Sequence, residues 1–110
     1  MSLPNAHHAL IEPNKIRDYL LSSSHPVGRF KANVFFALGY TSVHWELLRD
    51  DILALARIGE AVLGPLSPFG QKYEVDGILI GPTGRSARFR TVWILKPESE
   101  APRFVTAFPR

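Results

Sequence analysis

Two basic side chains flank the start of an apolar helix, with His25 on a Pro-Gly turn and Lys31 in the first helical turn. Much later in the chain, Arg90 and Thr91 lie in a segment whose alternation predicts a β-strand. A histidine titrates near neutral pH, and lysine and arginine bind phosphate oxygens directly. These residue types therefore favour proton transfer and phosphate binding without a metal, provided that the fold brings them together.

The position of Lys31 allows two interpretations. Its neighbours on the helix surface are the apolar Val34, Phe35 and Leu38, because residues three and four apart share one face of a helix. A lysine partly withdrawn from water there is suited to proton transfer. Alternatively, its apolar stem covers the core while its ammonium group reaches solvent.

His25 and two threonines also have alternative roles. At the N-terminus of a helix, His25 is placed to meet an anion, but a loop histidine can equally hydrogen-bond the backbone around it. Thr91 and Thr106 fall on a mostly apolar strand face. Each hydroxyl there needs a hydrogen-bond partner, either within the core or in a small polar cleft.

Length and composition are those of a globular protein. With 110 residues, 45% hydrophobic and 21% charged, the chain is expected to form a single domain, residues 1–110. It has no cysteine, which excludes disulfides, thiolate zinc sites and cysteine nucleophiles. It also has no His-x-x-x-His spacing, so neither a metal nor a cofactor is expected. No apolar run approaches the ~20 residues of a membrane helix and the start has no signal pattern, so we expect a cytoplasmic protein without membrane contact.

Charge is distributed unevenly along the chain. The net charge is +3, with nine arginines against four lysines. Residues 80–110 are basic, whereas residues 41–60 are acidic. Because arginine favours planar recognition of phosphate or carboxylate, the basic end is either a binding face or a face that keeps a sheet soluble.

The first part of the chain has helical periodicity. One helix is predicted to begin at Pro13 and to end in the serine run near residue 23. A second is predicted over residues 28–38, with Gly39 as its left-handed C-cap. A third, with an apolar stripe, is predicted to be capped by Thr41 or Ser42.

The periodicity changes to two in the second part of the chain. The Gly- and Pro-rich residues 63–70 predict a break in regular structure between a mainly helical half, residues 1–62, and a sheet half, residues 70–110. Neighbouring antiparallel strands are predicted over residues 71–80, 86–96 and 103–108.

The sequence predicts the α+β class, with about three N-terminal helices packed on a C-terminal antiparallel sheet of three or four strands. Keeping the apolar faces of the strands together places Tyr73 opposite Trp93 and Asp76 opposite Arg90. The residues expected to be mostly buried are Tyr19, Phe30, Val34, Leu38, Leu48, Ile52, Leu55, Val75, Phe89, Trp93 and Phe104.

A family resemblance extends over nearly the whole chain. The motifs that carry it are Leu3-Pro4-Asn5-Ala6, His25-Pro26-Val27-Gly28-Arg29, Lys31-Ala32, Leu38-Gly39-Tyr40, Gly70-Gln71-Lys72-Tyr73, Gly81-Pro82-Thr83-Gly84-Arg85, Thr91-Val92-Trp93 and Pro102-Arg103-Phe104-Val105-Thr106-Ala107. With these motifs the chain resembles an uncharacterised bacterial domain family. That family is similar in turn to the nuclease-like domains of the barnase, EndoU, colicin and RelE fold, some of which occur in toxin and phage proteins.

The resemblance implies metal-independent cleavage of RNA, in which the 2′-hydroxyl attacks the adjacent phosphate. It implies His25 as the acid or base and Lys31 and Arg90 as phosphate ligands, with Thr91 and Thr106 as hydrogen-bonding groups. The residues assigned to substrate binding are Arg29, Arg88, Tyr73 and Trp93, the last two as surfaces on which a base stacks.

Two other functions remain open from the sequence. The arginines and aromatic residues could form an interface with a small acidic protein, as in an antitoxin or immunity pair. Alternatively, the domain could be a structural component of a phage protein.

Overall fold

The computed structural model describes residues 1–110, with the side chain of Phe30 outside the described part of the chain. Three helical segments precede a four-stranded antiparallel sheet, which confirms the predicted α+β class. The helices are α1 (Pro13–Lys15), which continues as a π-helical turn (Ile16–Leu20), α2 (Arg29–Ala37) and α3 (Trp45–Ile58), after a 3-10 turn at Ala6–His8. The strands are β1 (Ala61–Ser67), β2 (Gly70–Ile80), β3 (Ser86–Leu95) and β4 (Arg103–Pro109).

The sheet is a meander in which each strand pairs with the next along the chain, in the order β1-β2-β3-β4. The predicted pairing of β2 with β3 is confirmed, since Tyr73 lies opposite Trp93 and Asp76 opposite Arg90. The turn between these strands contains Gly84 at a φ of 83°, a left-handed conformation that glycine adopts without strain. The alternation of apolar and polar residues therefore fixes the register, and the register determines which face of the sheet each candidate site residue occupies.

The predicted break at residues 63–70 is wrong, because β1 occupies most of that segment and pairs with β2. The sheet accordingly begins at Ala61, within the half that was expected to be helical. A bulge between Leu63 and Leu66 accommodates Pro65. Proline is tolerated here because β1 is an edge strand, where a missing N–H leaves no neighbouring strand unpaired.

The helix boundaries follow local capping chemistry. Gly39 has a φ of 98°, as predicted for the left-handed C-cap of α2. The cap predicted for α3 is displaced, since the helix begins at Trp45. The Thr41 hydroxyl instead accepts a hydrogen bond from the backbone N–H of His44 at 3.4 Å, in the turn that precedes the helix.

The core lies between the helices and one face of the sheet. Phe35 of α2 stacks on Phe89 with ring centroids 5.0 Å apart, and Trp93 meets Phe104 edge-on at 5.4 Å. The predicted core residues that are buried are Leu38, Leu48, Ile52, Leu55, Val75, Phe89, Trp93 and Phe104. Two predictions are corrected, because Val34 and Tyr19 are only half-buried. The prediction for Phe30 lies outside the described side chains.

The N-terminal segment runs along the free edge of β4 and positions α1 beside it. Leu10 forms a parallel bridge with Arg103, and its N–H donates to the carbonyl of Pro102 at 2.9 Å. The N–H of Phe104 donates in turn to the carbonyl of Leu10 at 2.9 Å. Among the described residues, none of the helices has the length and apolarity needed to cross a membrane.

Replacing Trp93 by alanine should destabilise the fold by ~3–5 kcal/mol, because the indole is fully buried against Phe104 and its removal leaves a cavity. Urea unfolding followed by circular dichroism measures the change. Val43→Ala is the matched control, since Val43 is 78% exposed and should change stability by less than ~0.5 kcal/mol. A loss below ~1 kcal/mol for Trp93→Ala would contradict a core role for the indole.

Candidate functional site

Three elements that are distant in sequence meet at the ammonium group of Lys31. The Lys31 Nζ in α2 donates hydrogen bonds to the Tyr19 hydroxyl of the π-helical turn at 2.9 Å and to the Thr106 hydroxyl of β4 at 2.8 Å. The two hydroxyl oxygens lie 3.4 Å apart. We call these three residues the Lys31 cluster.

The start of α2 approaches the π-helical turn closely because residue 28 is glycine. A Cβ atom at Gly28 would collide with the backbone carbonyl of Tyr19. The N–H of Lys31 donates to the carbonyl of Gly28 at 2.8 Å, which places the lysine in the first turn of α2. The glycine of the His-Pro-Val-Gly motif therefore serves the packing that brings Lys31 to Tyr19.

His25 is fixed by the same turn. Its Nδ1 accepts the backbone N–H groups of Val27 and Gly28, both at 3.0 Å. Its ring meets the ring of Tyr19 edge-on, with centroids 5.0 Å apart. Because Nδ1 is an acceptor in both hydrogen bonds, the neutral imidazole carries its proton on Nε2.

A hollow of about 700 Å³, which we call the β4 hollow, opens between α1, the His25 turn and β4. Its lining residues are Asn14, Lys15, Asp18, Tyr19, His25, Val27, Val105 and Thr106. Lys15 lines the hollow directly. The Lys31 ammonium is hydrogen-bonded to two hydroxyls, those of Tyr19 and Thr106, that also line it. The hollow thus combines hydroxyl, imidazole and ammonium groups at one surface.

The hydroxyl of Tyr19 is electrostatically perturbed. Partial burial raises the pKa of Tyr19, but hydrogen bonds from Lys31 and Thr106 and the charges of Lys31 and Lys15 lower it, and the net pKa lies below its ordinary value. An ammonium beside a phenol favours the phenolate, because opposite charges attract more strongly in a partly buried site. Tyr19 is therefore better suited to give up its proton than a solvent-exposed tyrosine.

Aromatic rings complete the surroundings of Lys31. Its Nζ lies 5.2 Å from the centre of the Tyr19 ring and 5.8 Å from that of Phe108. Both distances are within the range in which a cation is attracted to the face of a ring. Lys31 therefore does not extend freely into solvent, and the predicted alternative in which it only covers the core is replaced by a hydroxyl-bonded lysine.

Arg90 does not join this cluster, which corrects the implied role of Arg90 as a phosphate ligand together with Lys31. Its guanidinium lies 2.7 Å from Glu74 and 2.8 Å from Asp76. These groups line a second hollow of about 230 Å³, the sheet hollow, together with Glu60, Val62 and Arg88. Arg90 lies on the same face of the sheet as Thr106, which pairs with Val92, but its guanidinium is held toward β2 by Glu74 and Asp76.

Three further predicted site residues lie in the core. Thr91 is fully buried, donating to the carbonyl of Val75 at 2.8 Å and accepting from the indole N–H of Trp93 at 2.8 Å. Trp93 has no exposed surface and Tyr73 is 8% exposed. Neither ring can stack on a base in this fold, so their assignment to substrate binding is corrected, as is the assignment of Thr91 to the site.

The remaining arginines assigned to substrate are on the surface. Arg29 is exposed at the first residue of α2, and Arg88 is exposed beside Arg90 in the sheet hollow. Of the predicted site, the structure therefore brings together His25, Lys31 and Thr106. Within the described part of the chain, no group of three His, Cys, Asp or Glu side chains is arranged to hold a metal ion.

Tyr19 and Lys15 are the two candidate site residues that the sequence did not indicate. Tyr19 was assigned to the core because it falls on the apolar face of the first helix. A phenol on such a face has a polar tip that needs a partner, which is the one signal the sequence offered. The partner is contributed by α2 and β4, so the sequence alone could not identify it.

The family described as a domain of unknown function (DUF6883) matches residues 2–110. A chain in a solved contact-dependent growth inhibition toxin - immunity protein complex from Klebsiella pneumoniae 342 has a similar fold, with a TM-score of 0.73 and 20% identity. The match covers 93% of the present chain and 100% of that chain. At this identity the likeness shows the fold alone. No curated protein matches the chain by sequence.

Asp76 should make the stability of the fold depend on pH. The hydrogen bond from Arg90, with the charges of Arg90, Arg110 and Arg88, lowers the pKa of Asp76 despite partial burial. The folded-state pKa is thus below the unfolded value of about 3.9. The stabilisation is therefore complete above that value and is lost as the pH falls through the lower, folded-state pKa.

We expect Asp76→Asn to be less stable than the wild type near neutral pH and to lose less stability on acidification, as measured by urea unfolding between about pH 6 and pH 2. The control is Asp50→Asn, which removes a carboxylate that is 61% exposed and pairs with adjacent Arg49, and which should change stability by less than ~0.5 kcal/mol. Identical acid profiles for the wild type and Asp76→Asn would show that the ion pair is not coupled to folding.

Proposed function

The chain belongs to the DUF6883 family of domains of unknown function, and we propose that it is a metal-independent endoribonuclease of the toxin type. The observation that carries the proposal is the Lys31 ammonium held between the Tyr19 and Thr106 hydroxyls, beside His25, at an open hollow. The reaction is attack of a 2′-hydroxyl on the adjacent phosphate, with departure of the 5′-oxygen.

The chemistry of this reaction matches the groups at the hollow. The phosphate gains negative charge as the 2′-oxygen attacks, and hydrogen-bond donors fixed in advance stabilise that charge. The ammonium of Lys15 and the Nε2–H of His25 are hydrogen-bond donors that line the β4 hollow. The Tyr19 hydroxyl, whose oxygen accepts the Lys31 ammonium, adds one more donor.

RNA is the substrate favoured by this chemistry, because its own 2′-hydroxyl supplies the nucleophile. A site without a metal needs only to position the phosphate and to exchange protons. The volume of the β4 hollow, about 700 Å³, falls in the ordinary range of ligand sites. DNA lacks the nucleophile and should be resistant to cleavage.

We further propose a small acidic protein as the partner that controls this activity. The support is twofold: the similar fold occurs in a toxin - immunity protein complex, and the β4 hollow is lined by Lys15. An acidic surface placed against Lys15 would gain charge complementarity and accelerate association.

A non-catalytic protein-binding module is the second candidate, and the hairpin of β1 and β2 favours it. Residues 61–70 contain no charged side chain, yet Leu63, Leu66 and Phe69 are 60%, 76% and 75% exposed. Natural edge strands commonly carry charges that prevent association, and exposed apolar groups mark contact surfaces. This surface is compatible with a catalytic domain that also binds a partner.

Purified protein incubated with labelled RNA in EDTA should produce fragments that end in a 2′,3′-cyclic phosphate, whereas DNA of the same sequence remains intact. Lys31→Met keeps most of the apolar stem and removes the charge, and should reduce the rate by about 10²-fold or more. Lys15→Ala should also reduce it. Lys96→Ala is the control, because Lys96 is exposed next to the hairpin of β1 and β2 and away from the β4 hollow.

Thermal unfolding of each variant checks that the fold is retained. Full activity in Lys31→Met would argue against the Lys31 cluster as the active site. If the wild type cleaves no RNA under any condition while Phe69→Asp weakens binding of a partner protein, the binding module becomes the better account.

A further inference from the structure

We propose that Tyr19 delivers the proton that releases the 5′-oxygen, while His25 acts only as a fixed hydrogen-bond donor to the phosphate. This inference rests on the proposed RNA cleavage and divides the roles within the same site. It reverses the assignment that the sequence suggested, in which His25 exchanged the proton.

The hydrogen bonds of His25 limit what the imidazole can do. Its Nδ1 accepts two backbone N–H groups, from Val27 and Gly28, both at 3.0 Å. A proton on Nδ1 would displace both bonds and leave two backbone donors unpaired at the start of α2. With its proton on Nε2, the ring can donate a hydrogen bond to an oxygen, but it has no free lone pair with which to take up a proton.

The hydrogen bonds of Tyr19 have the opposite consequence. The phenol oxygen accepts a hydrogen bond from the Lys31 ammonium at 2.9 Å, and Tyr19 lines the β4 hollow, where its own O–H can turn toward a bound group. Thr106 lies 3.4 Å away and can donate to the oxygen once the phenol has lost its proton. The phenolate would thus form with two donors already in position, at little reorganisation cost.

The ionisable groups around Tyr19, above all the two lysines, favour the loss of its proton. Lys31 faces the hydroxyl from α2, Lys15 from the helix that carries Tyr19, and His25 from the intervening turn. Asp18 is the acidic group that lines the β4 hollow, and its carboxylate accepts hydrogen bonds from Nε and Nη2 of adjacent Arg17, both at 3.0 Å. The lowered pKa of Tyr19 agrees with this balance of charge.

The proposed step conserves protons and bonds. The 2′-oxygen forms a bond to phosphorus and loses its proton to solvent water, while the bond between phosphorus and the 5′-oxygen breaks. Tyr19 transfers its hydroxyl proton to that departing oxygen, and the resulting phenolate is held by Lys31 and Thr106. Water then returns a proton to Tyr19, and the products are a 2′,3′-cyclic phosphate and a 5′-hydroxyl.

The test compares two leaving groups at the same linkage. After the cleavage site of the wild type is mapped, an RNA is synthesised in which sulfur replaces the bridging 5′-oxygen at that position. A thiolate leaves without protonation, so this substrate does not need the acid. Tyr19→Phe should slow cleavage of the oxygen linkage by about 10²–10⁴-fold and cleavage of the sulfur linkage by less than about tenfold.

Two variants serve as controls for this comparison. Lys15→Ala removes a group that contacts phosphate in both substrates and should slow both to the same extent. Lys31→Met removes the charge that stabilises the phenolate, and should resemble Tyr19→Phe by affecting the oxygen linkage more strongly. Equal slowing of both linkages by Tyr19→Phe, or slowing of neither, would overturn the assignment of Tyr19.

His25 is tested by a measurement that does not depend on activity. Long-range ¹H–¹⁵N NMR of the wild type at neutral pH should show an unprotonated Nδ1 and a protonated Nε2. His25→Asn preserves a side-chain acceptor for the turn, and should lower the rate of cleavage without changing the shape of its pH profile. A protonated Nδ1, or loss of a limb of that profile in His25→Asn, would return the proton transfer to His25.

Different experimental results would reject the ribonuclease activity and the role of Tyr19. If the wild type cleaves neither linkage, the ribonuclease proposal falls and the role of Tyr19 falls with it. If the wild type cleaves both linkages and Tyr19→Phe does not distinguish them, the ribonuclease proposal stands and only the assignment of Tyr19 is rejected.

Discussion

The hydrogen bonds of the Lys31 ammonium are the interaction on which the arrangement of this molecule depends. A half-buried cation needs partners, because removing charge from water without hydrogen bonds is costly. Tyr19 and Thr106 supply them from the π-helical turn and from β4. One side chain of α2 therefore links the helical layer to the edge of the sheet and, in the same contact, perturbs a hydroxyl at an open surface. The hydrogen bonds that stabilise the fold at this position are therefore the same ones that change the reactivity of the Tyr19 hydroxyl.

The two faces of the sheet separate groups that the sequence places side by side. Thr91 satisfies the buried indole of Trp93 within the core, whereas its neighbour Arg90 is held by Glu74 and Asp76 on the other face. Because β3 alternates, these adjacent residues cannot serve one cleft. The basic character of the C-terminal region is thus used partly for ion pairs within the sheet, and the candidate chemistry lies at β4 and the helices.

Similarity of fold and similarity of function rest on different observations in this protein. The chain in the toxin - immunity protein complex shares the architecture at 20% identity, and architectures of this kind can support unrelated activities. The proposed ribonuclease activity is therefore argued from side chains: the Lys31 cluster, the fixed imidazole of His25 and the β4 hollow. The uncharged residues 61–70, with exposed Leu63, Leu66 and Phe69, form a separate surface away from the hollow.

The sequence by itself determined the class, the order of the elements and the pairing of β2 with β3, because periodicity and turn residues act locally. It also indicated His25, Lys31 and Thr106, whose chemical types are visible without a fold. It did not reveal β1, since Pro65 suits both a loop and a bulged edge strand. Only the tertiary structure decided that Tyr19 belongs to the site and Arg90 does not. Those outcomes depend on the close approach of α2 to the π-helical turn and on the ion pairs of Arg90 with Glu74 and Asp76 of β2, and both are contacts between segments far apart in the chain.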